Sequence, residues 1–145
     1  VPLGLNHEYV VAYGVRLIHK FFKDKEHPKR MWSVISTGVL SRTLQIALPN
    51  TEFFNIAVSR NIQQGDLGRA SFMSYHKAFN QKSDIIPTGF DCEEAYDSKG
   101  WDYMTRFGKK GDWFFNVAGN APDTKMLESE VDSYRDWNDL KDFNF

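Results

Sequence analysis

Three short polar segments carry the residue types that could bind an anionic ligand. Ser36-Thr37-Gly38, Ser59-Arg60-Asn61 and Gly119-Asn120 each follow an apolar run that predicts a buried strand. In open α/β sheets, ligands bind beyond the carboxyl ends of the strands, so we expect these segments to meet at one sheet edge. The sequence therefore predicts a site there for a small phosphorylated or carboxylated molecule.

The first of these segments has the features of an anion cradle. It stands at the start of a predicted helix, where free backbone N–H groups and the positive end of the helix dipole attract an anion. Ser36 and Thr37 could donate further hydrogen bonds, and Arg42 and Arg60 could supply positive charge. The alternative is purely structural, with Gly38 making the turn and one of the two hydroxyls capping the helix.

Lys99 is the candidate catalytic residue. It lies in the segment Tyr96–Trp101, beside an aspartate, a tyrosine and a tryptophan. Such a setting could desolvate the amine and let it act as a base or form a Schiff base. The alternative is a surface lysine in the first turn of a helix that Asp97 caps.

The histidines and the cysteine give little support to metal or thiol chemistry. The four histidines show no HExxH or paired-ligand spacing, so no metal site is predicted: His7, His19, His27 and His76. The single cysteine, Cys92, excludes a disulfide framework and favours a reducing compartment. Its three acidic neighbours should raise its pKa, which makes it a poor nucleophile.

Residues 32–50, WSVISTGVLSRTLQIALPN, and residues 53–61, FFNIAVSRN, carry a family resemblance. They resemble the small domain of fold-type II pyridoxal-phosphate enzymes, the cysteine synthase and tryptophan synthase β-like group. In that family a strand leads into a Ser/Thr-Gly-Asn turn that holds an anionic group, and then into a helix. Ser36, Thr37 and Gly38 match this turn, whereas Val39 stands where the family has Asn. The resemblance implies pyridoxal phosphate as a cofactor, although no segment matches the family's Schiff-base lysine motif.

The periodicity of apolar residues predicts the elements that position these segments. Helices are predicted over 7–22 behind an Asn6 cap, over 39–48, over 66–79, and from Asp91 or Asp97 to Phe107; strands are predicted over 31–36, 52–58 and 112–118. The first two strands are apolar on both faces, which is typical of parallel sheets. We therefore expect one α/β domain over 1–120, with a short, mainly parallel, three- to four-stranded Rossmann-like sheet flanked by helices.

Charge is unevenly distributed, although the net charge is -1. Residues 1–48 hold seven Lys/Arg and three Asp/Glu, a balance of +4, whereas residues 121–145 hold three and seven, a balance of -4. Residues 126–142 show a loose helical pattern through Leu127, Val131, Tyr134 and Trp137. We interpret 121–145 as an acidic extension that packs on the domain or on a partner, and a solvated tail is the alternative.

Three classes of function remain open. The first is binding of a nucleotide, sugar phosphate, amino acid or pyridoxal phosphate, with or without catalysis. It predicts a concave pocket that encloses Thr37, Gly38, Arg60 and Asn120. The second is a non-enzymatic protein that binds a partner or itself through an exposed apolar patch. The third is a nucleic-acid modifier that stacks a base on Trp101 or Trp113, which the net charge of -1 disfavours.

The composition of the whole chain also bears on its partners and location. Aromatic residues make up 15% of it, and it is similar in style to the small, acidic-tailed proteins of large bacteriophages. That likeness implies a role in host takeover or assembly, in the cytoplasm of the host cell. No run approaches the roughly 20 apolar residues of a membrane helix, so no membrane partner is expected.

Overall fold

The structure, a computed structural model, describes residues 6–59, 62 and 67–119. Their helices and strands follow one another as α1 (Glu8–Phe22), β1 (Arg30–Ile35), α2 (Val39–Ala47), β2 (Glu52–Ala57), β3 (Ser71–Ser74), α3 (Asp97–Phe107) and β4 (Trp113–Phe114). No helix among these residues is long and apolar enough to cross a membrane.

The four strands form one parallel sheet in the order β3-β2-β1-β4. β1 and β2 are in register from Arg30 opposite Glu52 to Ile35 opposite Ala57. Residues 31–35 of β1 are all buried, because helices cover both faces of the sheet. The predicted α/β fold with a parallel sheet is confirmed.

One face of the sheet packs against α1 and α2. Ile18 and Phe22 of α1 meet Leu44 of α2 and Met31 and Phe53 of the sheet in a single apolar cluster. Burial of each such side chain contributes roughly 1.5–3 kcal/mol to folding. This cluster fixes α2, and with it the turn that precedes α2, against the end of β1.

The other face packs against α3, and Gly100 permits the close approach. A Cβ atom at this position would lie 2.6 Å from Val34 Cγ2 and 2.9 Å from Phe114 Cε2. The glycine that lowers the helix propensity of this segment is therefore what lets α3 lie against β1 and β4.

The predicted helix over 66–79 is wrong for most of its length. Residues 71–74 form β3, which pairs in parallel with β2 from Phe54 opposite Ser71 to Ala57 opposite Ser74. Gly68 has a φ of +57°, a left-handed conformation that ends helical structure before the strand begins. The helical spacing of Leu67, Ala70 and Met73 is thus overridden by tertiary pairing.

Smaller differences concern element boundaries. His7 rather than Asn6 caps α1, since its Nδ1 accepts a hydrogen bond from the Tyr9 N–H at 3.2 Å. The strand expected over 112–118 is limited to Trp113–Phe114. Gly108 does end α3, as predicted, and its N–H donates to the Met104 carbonyl at 2.7 Å.

Candidate functional site

A cleft of about 660 Å³ opens at the carboxyl ends of β1, β2 and β3. Three segments line it, each at the carboxyl end of one strand: Ser36 and Thr37 at β1; Ala57, Val58 and Ser59 at β2; and residues 74–79 at β3. The ends of β1 and β2 meet here as the sequence predicted, whereas the third wall follows β3 and not the predicted segment Gly119-Asn120. The concave surface has the size of a small-molecule site, which is about 300–1,000 Å³.

The turn between β1 and α2 forms the first wall of the cleft. Gly38 has a φ of +78°, in the left-handed region that disfavours every other residue, and it immediately precedes α2. Gly38 is the N-cap residue and has no side chain that could accept a hydrogen bond. Within the described part of the chain, no other side chain caps this end of α2. Ser36 Oγ lies 3.3 Å from the Tyr96 hydroxyl, which donates to it. The first backbone N–H groups of α2 are therefore left without the predicted Ser36 or Thr37 cap.

The remaining predicted ligand-binding residues are spread more widely. Ser59 lines the cleft. Arg42 does not, because its Nη2 donates to Asn6 Oδ1 at 3.3 Å, near the start of α1. Gly119 lies beside Asp91, where a Cβ would come within 2.3 Å of the carboxylate, and it does not line the cleft. Three predicted residues lie outside the described part of the chain: Arg60, Asn61 and Asn120.

Residues 74–79 form a wall that the sequence did not predict. His76 Nε2 lies 2.8 Å from Asp84 Oδ2, and the Lys77 ammonium pairs with the same carboxylate. The hydrogen bond from Lys77 is the main cause that lowers the pKa of Asp84, and it raises the pKa of Lys77. The sequence predicts these residues as the last part of the helix over 66–79. Gly68 is the sequence signal that could have indicated an early end of that helix.

A buried polar network supports this wall from behind. The Tyr75 hydroxyl donates to Asp102 Oδ2 at 2.6 Å and accepts from the Asp84 N–H at 3.0 Å. Arg106 Nε donates to the other Asp102 oxygen at 2.5 Å. Burial, followed by the bond to Asp102, raises the pKa of Tyr75. The network thereby ties the end of β3 to α3.

Lys99 lies directly behind the same wall. It is fully buried, and its Nζ donates to the carbonyls of Ala78 at 2.8 Å and Phe79 at 2.9 Å. Burial lowers the pKa of its ammonium. The structure therefore does not place Lys99 at the surface, the alternative noted from sequence. It also does not place Lys99 in the lining of the cleft, so its catalytic role stays a prediction.

The remaining candidate residues lie away from the cleft. Cys92 is buried, and burial first, then nearby acidic groups, raise the pKa of its thiol. Trp101 packs edge-on against Phe90 and Phe114, and Trp113 packs against Phe22 of α1. Within residues 6–59, 62 and 67–119, no group of three or more His, Cys, Asp or Glu is placed to hold a metal ion.

Comparisons with known proteins bear on the fold. No protein-family model matches the chain, and no curated protein matches it. The crystal structure of an ACC deaminase homologue matches with a TM-score of 0.67 and 15% identity. The match covers 92% of this chain and 52% of that one, so the chain spans about half the length of its structural neighbour. The predicted bacteriophage origin receives no support and stays a prediction. At this identity the likeness shows the fold alone, an α/β domain with a parallel sheet.

Proposed function

We propose that this chain binds a small phosphorylated or carboxylated ligand in the cleft at the carboxyl ends of β1, β2 and β3. One observation carries the proposal: the hydroxyl-bearing residues Ser36, Thr37 and Ser59 line one concave surface, and Thr37 is followed directly by Gly38, where α2 begins without a side-chain cap. Backbone N–H groups at a helix N-terminus, together with the helix dipole, stabilise an anionic group.

The lining combines polar groups with an apolar surface. Lys77 and His76 also line the cleft, and both contact the Asp84 carboxylate. The apolar part of the lining, Ala57 and Val58, offers a surface for the body of the ligand. An anionic group at the α2 end with an apolar body across the β2 end fits this arrangement.

Pyridoxal phosphate is the cofactor that the resemblance of residues 32–50 and 53–61 implies. The turn before α2 could hold an anionic group of that cofactor. A Schiff base also needs an available lysine amine. In the described chain, the lysine in the lining, Lys77, pairs with Asp84, and Lys99 Nζ is bound to two carbonyls. These residues do not fit covalent attachment, and we propose no reaction through the cofactor.

A ligand screen by thermal shift tests the proposal. Inorganic phosphate, a nucleoside monophosphate, a sugar phosphate, an amino acid and pyridoxal phosphate would each be added at increasing concentration. A ligand present at 100 times its Kd should add about 2.7 kcal/mol of stability. If no phosphorylated or carboxylated compound raises the melting temperature, the proposal is wrong.

Two matched substitutions place the binding site. Thr37→Val removes one hydroxyl from the cleft at nearly constant volume and should weaken binding of the best ligand. Thr105→Val removes a hydroxyl from the exposed part of α3, where it bonds the Trp101 carbonyl, and should leave binding unchanged. Arg60→Ala, predicted from sequence to weaken binding without unfolding the domain, is the third variant.

A further inference from the structure

A second concave surface lies between α1 and β4 and is apolar. We call it the α1–β4 groove; it has a volume of about 460 Å³, and its lining includes Leu17, Phe21, Phe22, Trp113 and Phe115. Leu17 is 48% exposed, Phe21 54% and Trp113 40%. Large apolar side chains that share one groove at such exposure mark an interaction surface.

Positive charge borders the groove on one side. A neighbouring cleft shares Trp113 with it, and its charged lining is four cations, Lys29, Arg30, Lys109 and Lys110, against two acidic residues, Glu26 and Asp112. None of these three lysines takes part in a salt bridge with another residue of the described chain. An occupant of the groove that carries acidic residues beside its apolar ones would match both surfaces.

The sequence after β4 contains a segment of this kind. Leu127, Val131 and Tyr134 recur at the spacing of one helical face. The adjacent face carries four acidic residues and one arginine: Glu128, Asp132, Asp136, Asp139 and Arg135. Residues 121–145 carry a balance of -4, from three Lys/Arg and seven Asp/Glu.

The connection is long enough to reach the groove. Asn116, two residues beyond β4, already lines it. The eight residues from 120 to 127 can span up to roughly 26 Å when extended. Docking of this segment within the same chain therefore needs no rearrangement of the sheet.

We propose that residues 121–145 dock on the α1–β4 groove of their own chain. The apolar face of Leu127, Val131 and Tyr134 covers the groove, and the acidic face lies over Lys29, Lys109 and Lys110. The domain thus covers its own apolar surface, and that surface becomes available to a partner only when the segment is displaced.

Disulfide trapping in the full chain tests this inference. The pair Leu17→Cys with Val131→Cys places one thiol in the groove and one on the apolar face of the segment. The matched control is Phe72→Cys with Val131→Cys, because Phe72 is similarly exposed but lies on β3, at the opposite edge of the sheet. Native Cys92 is buried in both variants.

Under mild oxidation we expect an intrachain disulfide to form about tenfold faster in the Leu17 pair than in the Phe72 pair, because docking raises the effective concentration of the two thiols. Equal rates in the two pairs would overturn the inference. Disulfide-linked dimers of the Leu17 pair would overturn it in favour of a second copy as the occupant.

Reversing the charge of Lys109 and Lys110 distinguishes specific docking of residues 121–145 from random collision of the two thiols. Lys109→Glu with Lys110→Glu should slow trapping in the Leu17 pair, and adding Glu128→Lys with Asp132→Lys should restore it. An unchanged trapping rate in the first variant would contradict the proposed pairing of charges. None of these substitutions touches the cleft at the strand ends, so the result is independent of the proposed ligand.

Discussion

The cleft at the strand ends and the α1–β4 groove differ in what holds their walls in place. Behind the cleft, Lys99, Tyr75 and Asp102 fix residues 74–79 through buried and part-buried hydrogen bonds. The groove is walled by aromatic and aliphatic side chains that stay substantially exposed, such as Phe21 and Trp113. Fixed polar groups suit a small ligand with directional charge, whereas a broad apolar surface suits a segment of polypeptide. The two concave surfaces of one small domain are therefore suited to different kinds of occupant.

The largest expected effect comes from replacing Lys99, which holds the wall of the cleft through its bonds to Ala78 and Phe79. Lys99→Ala should destabilise the domain by roughly 3 kcal/mol, because it leaves a cavity where a fully buried side chain stood and removes the donor to the Ala78 and Phe79 carbonyls. Urea unfolding measures this. The matched control, Lys20→Ala on the exposed surface of α1, should change stability by less than about 0.5 kcal/mol. If the two substitutions lower the free energy of unfolding equally, Lys99 does not hold the wall of the cleft in place.

A smaller effect is expected where α3 supports both surfaces. Gly100→Ala should destabilise the domain by roughly 1–3 kcal/mol, because the new methyl group would collide with Val34 and Phe114. Gly89→Ala is the control, since a Cβ there meets nothing within 4 Å. If Gly100→Ala is stabilising, as helix propensity alone predicts, the close packing of α3 on the sheet is wrong.

The smallest effect is a difference in pH dependence between two carboxylates. Burial raises the pKa of Asp97, whose Oδ2 accepts the N–H groups of Val117 and Ala118. Its folded form therefore keeps a proton that the unfolded chain loses near pH 3.9, and its contribution to stability is lost as the pH rises through the folded pKa. Lys77 lowers the pKa of Asp84, so the contribution of Asp84 is lost as the pH falls.

Two Asp→Asn variants measure these opposite pH dependences of stability. The stability of Asp97→Asn relative to the wild type should rise as the pH increases from acid to neutral. The relative stability of Asp84→Asn should fall over the same range. Urea unfolding at several pH values gives both slopes, and slopes of the same sign would contradict the assigned environments.

The sequence predicted the part of the fold in which local pattern and tertiary role agree. β1 and β2 are apolar on both faces, and Gly38 stands between β1 and α2, so that unit and its place at the cleft followed from the residues. Ser36, Thr37 and Ser59 line the cleft for the same reason, and their role in ligand binding stays a prediction.

The sequence failed where distant contacts decide the structure. Residues 71–74 have a helical spacing of apolar positions, but pairing with β2 makes them a strand and brings His76 and Lys77 to the cleft. Arg42 was expected at the cleft from its distance along α2, yet it reaches Asn6 instead. The burial of Lys99 depends on carbonyls 20 and 21 residues away, which no local pattern encodes.

The central claim is that an anion binds at the turn before α2, and amide NMR during titration tests it most directly. Inorganic phosphate, or the best ligand from the thermal screen, should shift the backbone N–H signals of Gly38, Val39 and Leu40 progressively and to saturation. The signals of Leu17 and Trp113 in the α1–β4 groove should stay unchanged. Saturable shifts confined to the groove, or none at the turn with any anionic ligand, would contradict the account.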